Sequence, residues 1–400
     1  MKILFACKEF PHAKIIGGPI IIYNRLKYLS KHYTVSLAAF INEDAKKFIP
    51  TVEPFCHDLK LVPLPKRRSF VKIAWDFFFS IVPPYFLRVH GSEEMARTIG
   101  EMVQKDKYDF VIAEYSVMGQ FLYGNPFLPD VKRIISVHEC YYLARLKEFR
   151  LHKIGWKKLK ELFHLKGLKS YEFDMYRNAD KILTLTPQGK EELSAIDPEL
   201  KIDVVPHGVD VEKFSFPISE SEKKNIVFVG NYLHFPNADA VMFFYREFWS
   251  ILKSKLPNIR FEIVGQAPPQ EIQDMARNEN IIVTGKVDEV VPYLHNARVF
   301  ICPVRLGGGF RGKILEAMSA GCPVVSTPLG AEGIPAIDRE NIILAEKPDD
   351  FVQGIYDLFT DDSLYHKIRK NARDLIENKY AWKKGVEILA KVLEGMKEKT

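Results

Sequence analysis

Four hundred residues, 47% hydrophobic and 27% charged, make a globular mixture too long for one ordinary domain. The net charge of +6 is uneven: residues 1–205 hold 32 Lys and Arg against 24 Asp and Glu, and residues 206–400 hold 25 against 27. Five cysteines (Cys7, Cys56, Cys140, Cys302, Cys322), odd in number and without a C-x-x-C pair, argue against a disulfide framework or a zinc site and fit a reducing cytoplasm.

The amino-terminal MKILFACKEF reads as a strand over 2–7 rather than a signal peptide, because Lys8 and Glu9 break its apolar run. Gly17 and Gly18 follow, at a turn where backbone can come close to a ligand. Short runs rich in Val and Ile predict buried parallel strands over 34–40, 109–115, 132–139, 181–186 and 202–208. Helical spacing falls between them, as at 19–32 and 92–105. This is the β-α-β rhythm of a doubly wound sheet, whose ligands sit at the carboxyl ends of the strands. Two such ends carry ionisable residues. Glu114 is placed either to contact an acceptor or to cap the next helix. His138 and Glu139 end another strand, and the imidazole is either a site group or a satisfied core group.

Two segments of this half bear on membranes. IAWDFFFSIVPPYFL (73–87) is too short to span a bilayer and holds Asp76 and Pro83–Pro84. Its aromatic run 75–86 is either an acceptor-side helix or a lobe touching a membrane. LHKIGWKKLKELFHLKGLK (151–169) is basic and partly amphipathic, a surface helix pair in preference to a membrane-lying one. The expected location is the cytoplasm, with peripheral contact at the inner face of the membrane as the alternative. The positive excess of the first half suggests an anionic partner, either acidic lipid headgroups or a phosphate-bearing acceptor; a solvated surface without a partner is the other reading. No helix-turn-helix, zinc-finger or RNA-sheet pattern supports nucleic acid.

Pro, Gly, Ser and charge clusters over 206–225 have the composition of a linker. Strands then resume over 225–230, 260–265, 281–285, 299–304, 323–327 and 341–345, with helices near 237–254, 269–277, 312–320 and 349–359. Two helices close the chain after 362. The class is α/β, with two similar parallel-sheet domains. Glycines stand directly after strands in the second: Gly230, Gly265, Gly285 and Gly307, Gly308, Gly309. The last three precede a helix start bearing Arg311 and Lys313, in PVRLGGGFRGKILEAMSAG (303–321). Cations there oppose the helix dipole, so their presence points to a bound anion. Glu316 lies one turn on, on the face of Lys313, where a carboxylate can accept the paired hydroxyls of a ribose. The set matches a nucleoside diphosphate; the bland alternative is a plain loop with a surface Lys–Glu pair.

VFVGNYLHFPNADAVMFF, FEIVGQAP, IIVTGKVDEVVPYLHNARVFICPVRLGGGFRGKILEAMSAGCPVVSTPLGAEGI and VVPHGVDVEKF resemble the GT-B glycosyltransferases of the family-4 type, retaining enzymes that use nucleotide-sugars. The first half matches in shorter pieces: KEFPHAKIIGGP, VIAEY, SVHECYY and ADKILTLTPQGKEEL. The resemblance implies two Rossmann-like domains facing each other across a cleft, an acceptor-binding domain over 1–207 and a nucleotide-sugar-binding domain over 208–379, with 380–400 packing back on the first. It implies that Lys313 holds the donor diphosphate, that Glu316 holds the ribose, and that the strand end reaching Gly285 and Val287 lies against the base; Arg311, from its place at the helix start, is expected beside Lys313 on the diphosphate. Gly17 and Gly18 face the donor, and His138 lies near the reacting sugar carbon. Gly230, Asn231, Arg305, Gly307, Gly308, Gly309, Phe310 and Ile314 are expected to complete the donor surroundings, and Glu114 and Glu139, from their places at strand ends, are the candidates for an acceptor contact. The family often has a Glu seven residues before the position that precedes the one matching Glu316; Gly308 stands there instead. Arg and Lys that often follow the second domain's first strand are replaced in GNYLHFPN by Asn231 and His234, which shifts phosphate neutralisation to Arg311, Lys313 and Arg305.

The expected partners are a UDP- or GDP-sugar and a glycan or lipid-linked acceptor. With no Asp-x-Asp motif, the protein's cations are expected to replace a metal, and no cofactor beyond the co-substrate is expected. A GT-B nucleotide-sugar epimerase and an inactive GT-B scaffold subunit are the competing readings. A Rossmann dehydrogenase fits poorly, since no G-x-G-x-x-G follows the first strand.

Overall fold

The computed structural model describes residues 1–13, 18–65, 86, 91–151, 156–217, 224–307 and 310–398. The chain divides into two compact units, Met1–Pro206 with Val386–Thr400, and His207–Gly385. Each is built on its own parallel sheet with its own apolar core.

The first unit's strands are β1 (Lys2–Cys7), β2 (Thr34–Ile41), β3 (Leu59–Pro63), β4 (Phe110–Glu114), β5 (Lys132–Val137), β6 (Lys181–Thr184) and β7 (Ile202–Val204). They lie in the order β3-β2-β1-β4-β5-β6-β7, every pair parallel. β1 and β4 are buried almost end to end, as strands covered on both faces must be. The edge strand β3 escapes the sequence reading because LKLVP is short and mostly half-exposed, with only Val62 buried. β5 ends at Val137, two residues earlier than expected, so His138 and Glu139 lie just past the strand.

Helices of eight residues or more surround this sheet: α1 (Gly18–Leu29), α2 (Glu93–Asp106), α3 (Tyr141–Leu151), α4 (Trp156–Arg177) and α5 (Pro187–Ser194). α2 shows how locally they are specified. The Ser92 hydroxyl accepts from the Met95 N–H, Glu93 and Glu94 favour the positive end of the dipole, and left-handed Lys107 (φ 48°) ends it. The run 75–86 lies outside the described residues except for Phe86, as do parts of 151–169. Among the described residues no helix is long and apolar enough to cross a membrane.

The second unit's strands are β8 (Asn225–Val229), β9 (Arg260–Val264), β10 (Ile281–Gly285), β11 (Ala297–Cys302), β12 (Val324–Ser326) and β13 (Ile343–Leu344), in the order β10-β9-β8-β11-β12-β13. Its longer helices are α6 (Phe235–Glu247), α7 (Gly312–Ser319), α8 (Pro348–Thr360) and α9 (Asp362–Leu375). The helix expected over 237–254 starts earlier, with Pro236 in its first turn, and breaks at Phe248. That ring is fully buried, 5.4 Å from Phe244 and 5.1 Å from Phe351, so packing overrides helical continuity there. The last helix, α10 (Trp382–Lys397), returns to the first unit, where Leu389 and Leu393 are fully buried in the core.

In both sheets the strand order reverses next to the first strand, between β1 and β4 and between β8 and β11. Crevices at the carboxyl ends of such reversal points are the usual ligand sites of open α/β sheets.

Candidate active site

The second unit's reversal point is where most of the expected donor residues meet. Beyond β8, the Gly230 N–H donates to the Val264 carbonyl at 2.9 Å. Asn231 follows, its side-chain oxygen accepting from the Leu233 N–H at 3.1 Å. Gly265 takes φ 137°, and a Cβ there would stand 1.7 Å from the Gly230 carbonyl oxygen, so only glycine lets the two strand ends approach.

Two helix N-termini converge beside these turns. Lys313, in the first turn of α7, donates from Nζ to Asn237 Oδ1 at 2.7 Å and stands 4.1 Å from the Phe228 ring centre. Asn237, in the first turn of α6, donates from Nδ2 to the Asn231 carbonyl at 2.8 Å. Gly307 lies against both helix starts: a Cβ there would be 3.1 Å from Pro236 and 3.8 Å from the Arg311 guanidinium. Free N–H groups, two partial positive charges and the cations Arg311 and Lys313 gather here, a combination that attracts anions.

The ionisation of these groups reflects their burial. Burial lowers the Lys313 pKa to about 8, with Arg311 adding to the effect. Burial raises Glu316 to about 7, against the opposing pull of Lys213 and Lys313. His234, ahead of α6, is lowered by burial and by Arg311 and Lys313, which places all three in one electrostatic cluster.

Other expected donor residues are placed differently. Arg305 gives its guanidinium to Asp239 in a two-point pair at 2.9 Å each and lies 4.3 Å from the Phe243 ring centre, so its charge is already engaged. Ile314 is fully buried and its N–H donates to the Arg311 carbonyl at 2.9 Å; it builds the core beneath the site rather than its surface. Phe310 stacks on His207 at 5.3 Å and on Tyr380 at 6.1 Å. Gly285 ends β10, its carbonyl accepting from the Gly265 N–H at 3.1 Å, and Val287 beyond it is half-buried against the core. Gly17, Gly308 and Gly309 lie outside the described residues.

The first unit's reversal point holds the other cluster. Glu114, at the end of β4, is fully buried, and both its oxygens are taken: Oε1 by Arg25 Nη1 at 2.6 Å and Oε2 by His138 Nε2 at 2.9 Å. Each carboxylate oxygen thus accepts a hydrogen bond from a side chain of the same unit, and the group is held inside it. Tyr115 follows at φ 77°, ψ 144°, a region that costs a residue with a side chain about 1–3 kcal/mol and is concentrated at functional sites. Its ring packs 4.2 Å from the His138 ring, with Lys8 Nζ 3.8 Å above it and its hydroxyl donating to Glu9 at 3.3 Å. Gly18 is the counterpart of this placement, since a Cβ there would stand 1.5 Å from the Tyr115 hydroxyl. Glu139 is exposed and close enough to Lys8 to act on its charge.

Sequence reasoning missed Arg25, Tyr115, Asn237 and Glu172. Glu172, from α4, is fully buried and caps α3, accepting from the Tyr141 and Tyr142 N–H groups at 3.0 and 2.8 Å, from the Ser116 hydroxyl at 2.6 Å and from the Tyr176 hydroxyl at 2.8 Å. It thereby holds the turn that carries His138. Among the described residues no cluster of three or more His, Cys, Asp or Glu side chains is arranged to hold a metal ion.

Residues 22–213 match the family model described as Glycosyltransferase Family 4, and residues 223–361 match the model described as Glycosyl transferases group 1. An uncharacterised 44.6 kDa protein of the cps region of Klebsiella pneumoniae is 24% identical over 400 residues, covering 96% of this chain and 97% of its own. Sucrose-phosphate synthase from Thermosynechococcus elongatus shares the fold with a TM-score of 0.71 at 13% identity, over 100% of both chains. HepE from Anabaena, solved in complex with UDP, does so with a TM-score of 0.67 at 14% identity, over 99% of this chain and 100% of that one.

Proposed function

The chain belongs to the family-4 glycosyltransferases and has the GT-B fold, and on that premise we propose that it moves a sugar from a UDP- or GDP-sugar to a hydroxyl of a glycan or lipid-linked acceptor, with retention of anomeric configuration. The observation that carries the donor reading is the convergence of the α6 and α7 N-termini, tied by the Lys313–Asn237 contact at 2.7 Å. A diphosphate bound there meets backbone N–H groups, Lys313 and Arg311. As the glycosidic bond breaks, negative charge grows on the leaving phosphate, and fixed cations and dipoles stabilise it without reorganisation. The Glu316 carboxylate accepts no hydrogen bond among the described residues, which leaves its side-chain oxygens for a ribose. UDP is the first nucleotide to test, since the structural neighbour HepE was solved with UDP.

The test is a thermal-shift screen of UDP, GDP, ADP and their sugars, repeated on Lys313→Ala and Glu316→Ala. A nucleotide that binds only the folded state raises Tm by mass action. A shift with one nucleotide, lost in both variants, is expected. No shift with any nucleotide, or shifts unchanged in both variants, overturns the donor assignment. Turnover of the bound donor with added acceptor then separates an enzyme from a binding scaffold.

A further inference from the structure

We propose that Glu114 and Arg25 are positioning residues for His138: they hold its imidazole in the neutral tautomer with the proton on Nε2 and leave Nδ1 as a hydrogen-bond acceptor for a sugar hydroxyl. The assignment of a ligand to Nδ1 rests on the glycosyltransferase reading above; the tautomer does not.

The chain of contacts fixes the protons. Arg25, from α1, donates through Nη1 to Glu114 Oε1 at 2.6 Å and to Ser136 Oγ at 2.8 Å. A guanidinium does not lose its proton in a protein, so the pair requires an ionised carboxylate. An ionised carboxylate only accepts. The atom 2.9 Å from its other oxygen is His138 Nε2, which therefore carries a proton. Arg25 is 2% exposed and Glu114 not at all, and with a neutral imidazole the three groups sum to no net charge. A second proton on His138 would leave an uncompensated positive charge in a buried place that Lys8 also faces. The lone pair thus stays on Nδ1, which makes no hydrogen bond among the described residues.

Ionisation follows the same pattern. Burial alone would raise Glu114, but Arg25 and the His138 contact outweigh it and bring its pKa to about 2. Burial lowers the His138 pKa; Glu114 works against this, and Arg25 and Lys8 add to it. Tyr115 packs its ring 4.2 Å from the imidazole and is itself held by Lys8 and Glu9, so the ring orientation is limited from the second side.

The experiment is nitrogen NMR of the full chain labelled at its histidine rings. The protein has 11 histidines, and the His138 signals are those lost in His138→Gln. At neutral pH the wild type should show a protonated Nε2 and an unprotonated Nδ1. In Glu114→Gln the amide oxygen still serves Arg25, while its NH2 donates to Nε2, so the proton should move to Nδ1. Turnover should then fall by about 10–100-fold, the range expected when the outer partner orienting a site imidazole is lost, with donor KM little changed. A proton on Nδ1, or on both nitrogens, in the wild type overturns the proposal even if the variant does not fold. A reversed tautomer with unchanged turnover overturns the positioning role. Absence of turnover in the wild type defeats the proposed function instead, and the spectrum still decides the tautomer.

Discussion

Lys313 and Glu316 are one helical turn apart, and burial moves them toward each other on the pH scale, to about 8 and about 7. Their contributions to stability have opposite signs. Glu316, raised from its ordinary value, lends stability that is present in acid and lost as pH rises through about 7. Lys313, lowered from its ordinary value, lends stability that is present in strong alkali and lost as pH falls through about 8. Near neutrality the free protein therefore bears both charges at a cost that the proposed nucleotide would relieve. UDP affinity, measured calorimetrically across pH at fixed ionic strength, should rise through about pH 7 as Glu316 ionises and fall above about pH 8 as Lys313 loses its charge. Glu316→Gln should remove the acid limb alone; an unaltered acid limb would show that another group sets it. These two residues were readable from the sequence because one local segment carries both. Asn237 was not, since its partner Lys313 lies 76 residues away. Arg25 was hidden for the same reason: it stands in an ordinary helical stretch, and its partners are 89 and 111 residues distant.

Elements place these residues by their ends. The parallel strands were visible as apolar runs because both faces are covered, whereas β3, half-exposed at the edge, left no such run. Strand ends were less clear, because the apolar pattern does not mark where pairing stops; β5 releases His138 two residues before the expected end. The turn between β9 and its following helix allows a direct test. Gly265→Ala combines a left-handed backbone with a clash against the Gly230 carbonyl, and should cost at least about 2 kcal/mol in urea unfolding while weakening UDP binding. A tolerated alanine with full affinity would mean that the β8 and β9 ends do not need this approach. Glu172 tests the other unit. Glu172→Ala strands two helix-terminal N–H groups and leaves the Ser116 and Tyr176 hydroxyls, 2.8 Å apart, only each other as partners, and should cost about 3 kcal/mol or more. A loss below about 1 kcal/mol would show that water replaces the cap.

At the scale of the molecule, the first unit is not one continuous stretch of chain, and the second is. The closing helix supplies the first unit with Leu389 and Leu393, both fully buried and each contributing about 1.5–3 kcal/mol. It also supplies Lys397, paired with Asp109 at 3.0 Å, and Glu394, which accepts from the Tyr33 hydroxyl at 2.5 Å. A protein ending at Gly385 should therefore show a weakened or absent transition for the first unit by calorimetry, with the UDP-dependent transition of the second retained. Equal loss of both would mean that the second unit does not stand alone. The borrowed helix also sets an order of events during synthesis. The amino-terminal unit leaves the ribosome first yet lacks part of its core until residues 386–397 have been made, so it waits, with apolar surface exposed, while the later-made unit has all it needs to fold. Arrested translation just short of that helix is the stage at which this chain should depend most on chaperones.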